Sequence, residues 1–471
     1  MISLSQTVAT LLSNYYRCPQ FVTDFELEAS LSYRSGYFRL NEDLVCYGRL
    51  STIQPAATPY NVPNVCHRIS NGARRVTVPF DAAEVVSNLR LERYNTQNGI
   101  EITSGSNIIR QLYYLVRPVM PVYVRKYLQR CFLRGWDRIP FPSWPVDRSV
   151  DRLHEWLLGL VMEADAISEV PFVWFWPDGS PSCISITHDV ETSAGRDFCV
   201  QLMDINDSYG IKSSFQVVPE ERYAVSSAFL DSLRYRGFEV NIHDLNHDGH
   251  LFRTREQFHA RVSKINRYGK EFRSRGFRSG ALYRKQEWMR ELDFAYDMSV
   301  PNVAHLDPQR GGCCTIMPFF FARELVEIPV TTTQDYTLFH ILHDYSTRLW
   351  EEQVWTISRA HGMATFIIHP DYIIEHRAQT IYKQLLTHLT KLREAHGLWI
   401  ATPGEINDWW RARALMQVVK EDGRWRVRGE GSERARVAYA RIKNNRVVYR
   451  VDQEGTSSTL EGHGELFDGS R

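Results

Sequence analysis

The second half of the chain reads as an α/β barrel of parallel strands, and three observations lead there. Eight short apolar runs of strand length recur between residues 183 and 401. Amphipathic helical stretches separate most of them, and strands that alternate with helices build parallel sheets. Ionisable residues gather at the ends of these runs, the carboxyl edge where such folds place their chemistry. The expected organisation is a distorted (β/α) barrel over 170–412. An N-terminal mixed α+β accessory region precedes it over 1–165, and a small β-rich appendage with a disordered end follows over 413–471.

Bulk properties agree with a multi-domain globular chain. Its 471 residues suggest two or three domains. The 43% hydrophobic and 24% charged fractions are ordinary for globular proteins. A net charge of +1 makes no electrostatic case for nucleic acid. The eight cysteines form no C-x-x-C pair, and several lie inside apolar runs, so a reduced, cytoplasmic setting is expected. Met1 to Tyr16 has no basic region and its apolar stretch is broken by Ser13 and Asn14, unlike a signal peptide. No window approaches eighteen consecutive apolar residues, so no spanning helix is expected.

Taken in order, residues 1–105 read as short strands and turns. Tyr37 to Leu50 and Arg75 to Phe80 are strand-like, and Asp81 to Leu89 is a short helix. A helical pattern starts at Asn107. Its piece Val122 to Trp136 sets Arg125, Lys126, Arg130 and Arg134 among apolar residues. Such a helix suits peripheral contact with an anionic membrane, but a docked helix with a solvated basic face is the preferred reading. Prolines make 139–145 an extended connector, and Ser149 to Ala164 carries a helical apolar stripe.

The barrel strands are Cys183–Ile186, Ser214–Val218, Phe238–Ile242, Gly276–Arg278, Tyr296–Ser299, Leu325–Val330, Ala364–His369 and Leu398–Ala401. Helices over 196–209, 226–236, 254–275 and 380–396 lie between them, the last three closed by Gly237, Gly276 and Gly397. In the tail, Trp425–Arg428 and Arg446–Val451 alternate like exposed strands. Asp422-Gly423 and Lys443-Asn444-Asn445 serve as their turns.

The chemistry starts at Ile184-Ser185-Ile186-Thr187-His188-Asp189-Val190-Glu191, an apolar run that opens into ionisable groups. The next such run ends in His243-Asp244-Leu245-Asn246-His247. On a helical turn that spacing puts both imidazoles on one face, suited to one divalent metal. Gly276-Phe277-Arg278-Ser279-Gly280-Ala281, Tyr296-Asp297-Met298-Ser299 and Phe366-Ile367-Ile368-His369-Pro370 follow.

In this order the five stretches resemble the motifs of the polysaccharide deacetylase family, also called the NodB-homology domain or carbohydrate esterase family 4. The resemblance covers about half the chain. Val190 stands where the commoner second aspartate would be, so the first motif looks like the Asp-x-Asp/Glu variant. The third keeps Arg278 but has Gly280 and Ala281 where Pro and Tyr are usual.

The resemblance implies a barrel of the NodB type and one divalent metal held by Glu191, His243 and His247. Zn²⁺ is expected, with Co²⁺, Ni²⁺ or Mn²⁺ as alternatives. Asp189 would be the base and His369 the acid, with Asp297 holding that imidazole charged. Arg278 would orient Asp189 or bind substrate, and the Ala281 backbone N–H would help hold the oxyanion.

The function implied is hydrolysis of N-acetyl or O-acetyl groups on a polysaccharide or sugar precursor. A small cyclic amide as substrate, or a catalytically silent carbohydrate-binding module, are the alternatives. His250 is read as uninvolved, Asp244 as solvated, His188 as a supporting or packing residue, and Cys313-Cys314 as structural.

Overall fold

A run of eight residues, all buried, forms the central strand β1 (Cys183–Val190). Burial on both faces is what a parallel strand covered by helices requires, and it explains why apolar residues and small hydroxyls fill it without alternation. The computed structural model describes residues 4–97, 133–321 and 325–452. The expected helical pattern from Asn107, most of the basic stretch over 122–136 and the polar end of the tail lie outside them.

The sheet adds β2 (Ser214–Val217), β3 (Glu239–His243), β4 (Gly276–Arg278), β5 (Tyr296–Asp297), β6 (Phe319–Phe321), β7 (Leu325–Glu327), β8 (Met363–Ile367) and β9 (Trp399–Ile400). Its order is β6-β7-β5-β4-β3-β2-β1-β8, with β9 beside the start of β1. All pairs are parallel except β6 with β7. Between β7 and β8 a strap over 330–333 closes the barrel through threonines. Thr331 Oγ1 donates to the Met363 carbonyl at 2.7 Å and accepts the Thr365 N–H at 2.8 Å. Thr332 Oγ1 donates to the Thr365 carbonyl at 2.9 Å.

Hydroxyl caps start three of the barrel helices. Thr192 caps Ser193–Ser208, Ser226 caps Ser227–Tyr235 and Thr254 caps Arg255–Glu271. His376–His396 ends at Gly397, whose φ of 68° gives the left-handed stop expected there. Gly276 plays no such part. The helix before it ends at Glu271, and Gly276 instead opens β4 where the Tyr296 ring leaves no room for a Cβ. The antiparallel strand β6 and the helices Arg348–Arg359 and Pro403–Leu415 were not among the expected elements.

The N-terminal region is more helical than its sequence suggests, beginning with the helix Leu4–Tyr16. A hairpin (Gly36–Asn41 with Leu44–Gly48), the helix Ala82–Arg90 capped by Asp81, and the helix Ser149–Ala164 follow. One apolar cluster runs from Val8 and Leu12 through Leu157 to Phe172, Trp174 and Trp410, joining this region to the barrel's flank. At its centre lies Arg413, fully buried. Its guanidinium donates to the carbonyls of Tyr15, Tyr16, Val173 and Trp174 at 2.8–3.2 Å. It also packs on the rings of Phe175 and Trp410.

The C-terminal strands form two hairpins, with Asp422-Gly423 and Asn444-Asn445 at positive φ in their turns. The second is no free appendage. Its strand Val437–Lys443 pairs with Val170–Val173, so residues some 270 positions apart share one three-stranded sheet. Among the described residues no helix is long and apolar enough to cross a membrane.

Candidate functional site

The end of β1 delivers two carboxylates on alternate positions, with Val190 turned into the apolar cluster between them. Tyr223 donates its hydroxyl to the Val190 carbonyl at 2.7 Å, and Arg222 donates to the Glu191 carbonyl at 3.1 Å. Asp371, two residues after His369, accepts the Glu191 N–H at 3.3 Å and the Thr192 hydroxyl. The first carboxylate pair is therefore fixed from two neighbouring loops.

His243 closes β3 and His247 follows four residues later, but no helical turn joins them. The link is a loop with Asp244 and His247 in the left-handed region, φ 56° and 53°. That bend replaces the expected helix face and still brings the rings to 4.7 Å. His243 Nδ1 lies 3.2 Å from the Arg278 carbonyl, which makes Nδ1 the donor and aims Nε2 at the site. Glu191 Oε1 stands 2.9 Å from His247 Nε2 and 3.9 Å from His243 Nε2.

Ligand atoms from these three residues lie within 4.8 Å of one another. His247 Nε2 meets Glu191 Oε1, whereas His243 Nε2 is buried with its nearest carboxylate oxygen 3.7 Å away. An orphaned buried nitrogen costs about 1–3 kcal/mol unless something satisfies it. A divalent ion between two imidazoles and a carboxylate does so, and the donor set suits zinc.

Asp189 Oδ1 accepts Arg278 Nη1 at 2.7 Å, while Oδ2 stands 3.7 Å from His243 Nε2. Arg278 is itself buried and also donates to Thr187 Oγ1 at 2.7 Å and the Met298 carbonyl at 3.0 Å. Its place is thus behind Asp189. Burial alone would raise the Asp189 carboxyl, but the Arg278 charge and the nearby imidazoles overcome it and hold it below the usual range. Glu191 is held lower still, because His247 and its neighbours outweigh burial.

His369 sits at the head of the loop after β8. Its Nδ1 lies 2.6 Å from Asp335 Oδ1, and its backbone N–H donates to Asp335 Oδ2 at 2.7 Å. Burial would favour the neutral ring, yet the Asp335 carboxylate outweighs it and keeps the imidazole's pKa well above the ordinary value. Nε2 then points toward Glu191 Oε1, 3.6 Å away.

Asp297 is not that partner, against expectation. Its oxygens accept the N–H and hydroxyl of Ser299, at 3.0 and 2.8 Å. It stands beside Glu327 on β7, in register with it. Burial and the like charge of Asp297 push the Glu327 carboxyl well above the usual range.

Ala281 lies in the turn Gly280–Leu282 at φ 53°. A Cβ on Gly280 would come 2.6 Å from Asp244 Oδ2 and 3.1 Å from His247 Cδ2, which explains why proline does not stand there. Asp244 is consequently buried rather than solvated, with Oδ1 accepting the Leu245 N–H. His188 is neutral, brought down to about 4 by burial. It is wedged between the Ile368 carbonyl and Asn206. His250 approaches Asp248 rather than the cluster, and Cys313 and Cys314 are buried thiols.

Sequence reasoning missed Asp335, Asp371 and Tyr372, whose ring centroid is 5.1 Å from that of His369. The only signal for the last two was their place just after His369-Pro370.

No family model and no curated protein matches the chain. Solved structures do. A Mycobacterium smegmatis protein described as a polysaccharide deacetylase aligns at 16% identity and a TM-score of 0.43, over 51% of this chain and 94% of that one. The CE4 domain of a multidomain xylanase from a Trinervitermes trinervoides hindgut metagenome aligns at 13% and 0.30, over 48% and 90%. A CE4 family pseudoenzyme from Bacillus anthracis aligns at 14% and 0.32, over 49% and 66%. The solved structures this chain is similar to thus include polysaccharide deacetylases of the CE4 family and a pseudoenzyme of that family.

Proposed function

We propose that the chain is a metal-dependent hydrolase that removes N-acetyl groups from a polysaccharide or sugar precursor. One observation carries the reading: ligand atoms of Glu191, His243 and His247 converge within 4.8 Å of one another between Asp189 and His369. A bound divalent ion, zinc first, supplies a water acidified toward a pKa of about 7 and polarises the acyl carbonyl. Asp189, ionised and oriented by Arg278, accepts the proton of the attacking water. His369, charged and fixed by Asp335, gives its Nε2 proton to the leaving nitrogen. The Ala281 backbone N–H adds to the field around the developing oxyanion.

The residues that carry this chemistry all fall within 170–412, and the flanks support them. Seven described cysteines are free, six of them buried, which supports a reducing, cytoplasmic setting.

Acetate release from N-acetylated oligosaccharides with added zinc, run beside cyclic amides, tests the reading. Acetate from the glycans is expected. Turnover of the cyclic amides alone, or of nothing, overturns it. Purified protein should hold about one divalent metal, and the His243→Ala, His247→Ala double variant should lose it. Equal metal content in the two would refute the site.

Asp335→Asn should keep its metal and lose about 10²-fold in rate, as the acid forfeits its charge and orientation. An unchanged rate would remove Asp335 from the scheme.

A further inference from the structure

Two residues past the helix Ala82–Arg90 of the N-terminal region, the chain turns back at Glu92 with φ at 54°. A residue with a side chain keeps that left-handed conformation only where its surroundings hold it. What holds Glu92 belongs to the barrel. Arg284 grips its carboxylate with two N–H groups, Nε at 2.6 Å from Oε2 and Nη2 against Oε1. The Gly312 N–H donates to Oε1 at 2.6 Å. Glu92 and Arg284 are 7% and 2% exposed, so the ion pair is closed off from water.

The pair Gly311-Gly312 makes the room. A Cβ on Gly311, at φ 126°, would collide with the Glu92 carboxylate, and one on Gly312, at φ 143°, with the Asn302 carbonyl. The same grip continues on either side of Glu92. Gln286 Nε2 donates to the Arg90 carbonyl at 3.0 Å, the Tyr94 hydroxyl to the Gly312 carbonyl at 2.6 Å, and Asn95 Nδ2 to the Arg310 carbonyl at 2.7 Å. The glycines ahead of Cys313-Cys314 thus admit a carboxylate from the N-terminal region.

Arg284 carries this grip toward the reaction centre. Its Nη1 donates to the carbonyl of Leu282, the residue after Ala281, at 2.9 Å. The Gln309 side-chain amide holds the Arg284 backbone, accepting its N–H at 2.9 Å and donating to its carbonyl at 3.0 Å. Ala281 and Leu282 both stand at φ 53°, so this turn too depends on what surrounds it. At its start, Gly280 packs against Asp244 and the His247 ring.

Stability is a poor reason for such a pair. Taking two opposite charges out of water costs about as much as their attraction returns, and an apolar pair of similar volume often serves as well. Geometry is a better one. A guanidinium fork fixes direction as well as distance, and here one end of it meets Glu92 while the other meets the turn beside a metal ligand.

We propose that Glu92 is a positioning residue. Through Arg284 it fixes the 280–284 turn, and with it the Ala281 N–H, against the metal site. The N-terminal region then sets the geometry of the reaction centre as well as packing on the barrel's flank. The inference rests on the hydrolase reading above, in which the Ala281 N–H faces the developing oxyanion.

Three full-length proteins test it: wild type, the isosteric Glu92→Gln, and the double variant Glu92→Leu, Arg284→Met. Acetate release, metal content, urea midpoint and amide hydrogen exchange are measured on each. Glu92→Gln should lower kcat at least tenfold with KM and metal content unchanged. Its 280–284 amides should exchange about tenfold faster, while those of β1 stay as in wild type. The double variant should regain the wild-type urea midpoint but neither the kcat nor the exchange protection, because the fork to Leu282 is gone.

The proposal is overturned if Glu92→Gln keeps wild-type kcat and exchange, or if kcat returns with stability in the double variant, as it would for a merely structural pair. Should Glu92→Gln fail to fold, the double variant decides alone. A wild type that releases no acetate rejects the deacetylase reading, and exchange then judges the anchor separately. Faster exchange over 280–284 in Glu92→Gln would keep it, and unchanged exchange would overturn it.

Discussion

Asp189→Asn will hold its metal at the wild-type level while acetate release falls by about 10² or more, the scale of a lost general base. Glu191→Ala will do the opposite, losing metal first and regaining part of its activity in excess zinc. Geometry divides the two carboxylates. Glu191 Oε1 is within 4 Å of all three imidazoles, at 2.9 Å from His247, 3.6 Å from His369 and 3.9 Å from His243. Asp189 instead gives one oxygen to Arg278 and leaves the other facing the site. Asparagine preserves the acceptor toward Arg278, so the loss should be chemical and not architectural. Metal analysis and steady-state rates on the two variants settle the point. Metal lost from Asp189→Asn and kept by Glu191→Ala would show that the roles are exchanged.

The largest effect on stability should come from a residue with no part in the reaction. Arg413→Ala should lower the unfolding free energy by about 4 kcal/mol, since each buried carbonyl left without a donor costs about 1–3 kcal/mol. Four carbonyls, from two segments more than 150 residues apart in sequence, depend on this one guanidinium. Burial brings its pKa down to about 9, so it stays charged at neutral pH while its donors meet backbone carbonyls. Arg413→Met should recover little, because it restores volume but no donors. Arg413→Lys should do poorly too, as a compact ammonium cannot span the fan of oxygens. Urea titrations would read these differences. A methionine variant within about 1 kcal/mol of wild type would show that the carbonyls find other partners.

Local pattern carried much of the fold into view. The apolar runs ending in charge marked the strand ends, and Gly397 marked a helix stop that its left-handed φ confirms. The two histidines were visible as a pair, but not the bend between them. That bend depends on Asp244 tucking against Gly280, a contact made 36 residues away along the chain. The partner of His369 was hidden for a similar reason. Asp297 ends a strand and looked the part, whereas Asp335 lies in a polar stretch announced by no periodicity. What selects Asp335 is the threonine closure of the barrel, which exists only once β8 and the strap have met. Pairing of Val170–Val173 with Val437–Lys443 left no local trace at all.

That pairing constrains the order in which the molecule can be made. On a ribosome the strand Val170–Val173 emerges long before its neighbour Val437–Lys443, and every barrel strand is synthesised in between. Until then its edge stays unpaired, an apolar template for wrong association. Contacts of such long sequence separation also form slowly, because the loop they close is entropically expensive. The nascent chain must therefore wait with this edge uncovered, a state that calls for chaperone cover during synthesis and for dilute conditions during refolding.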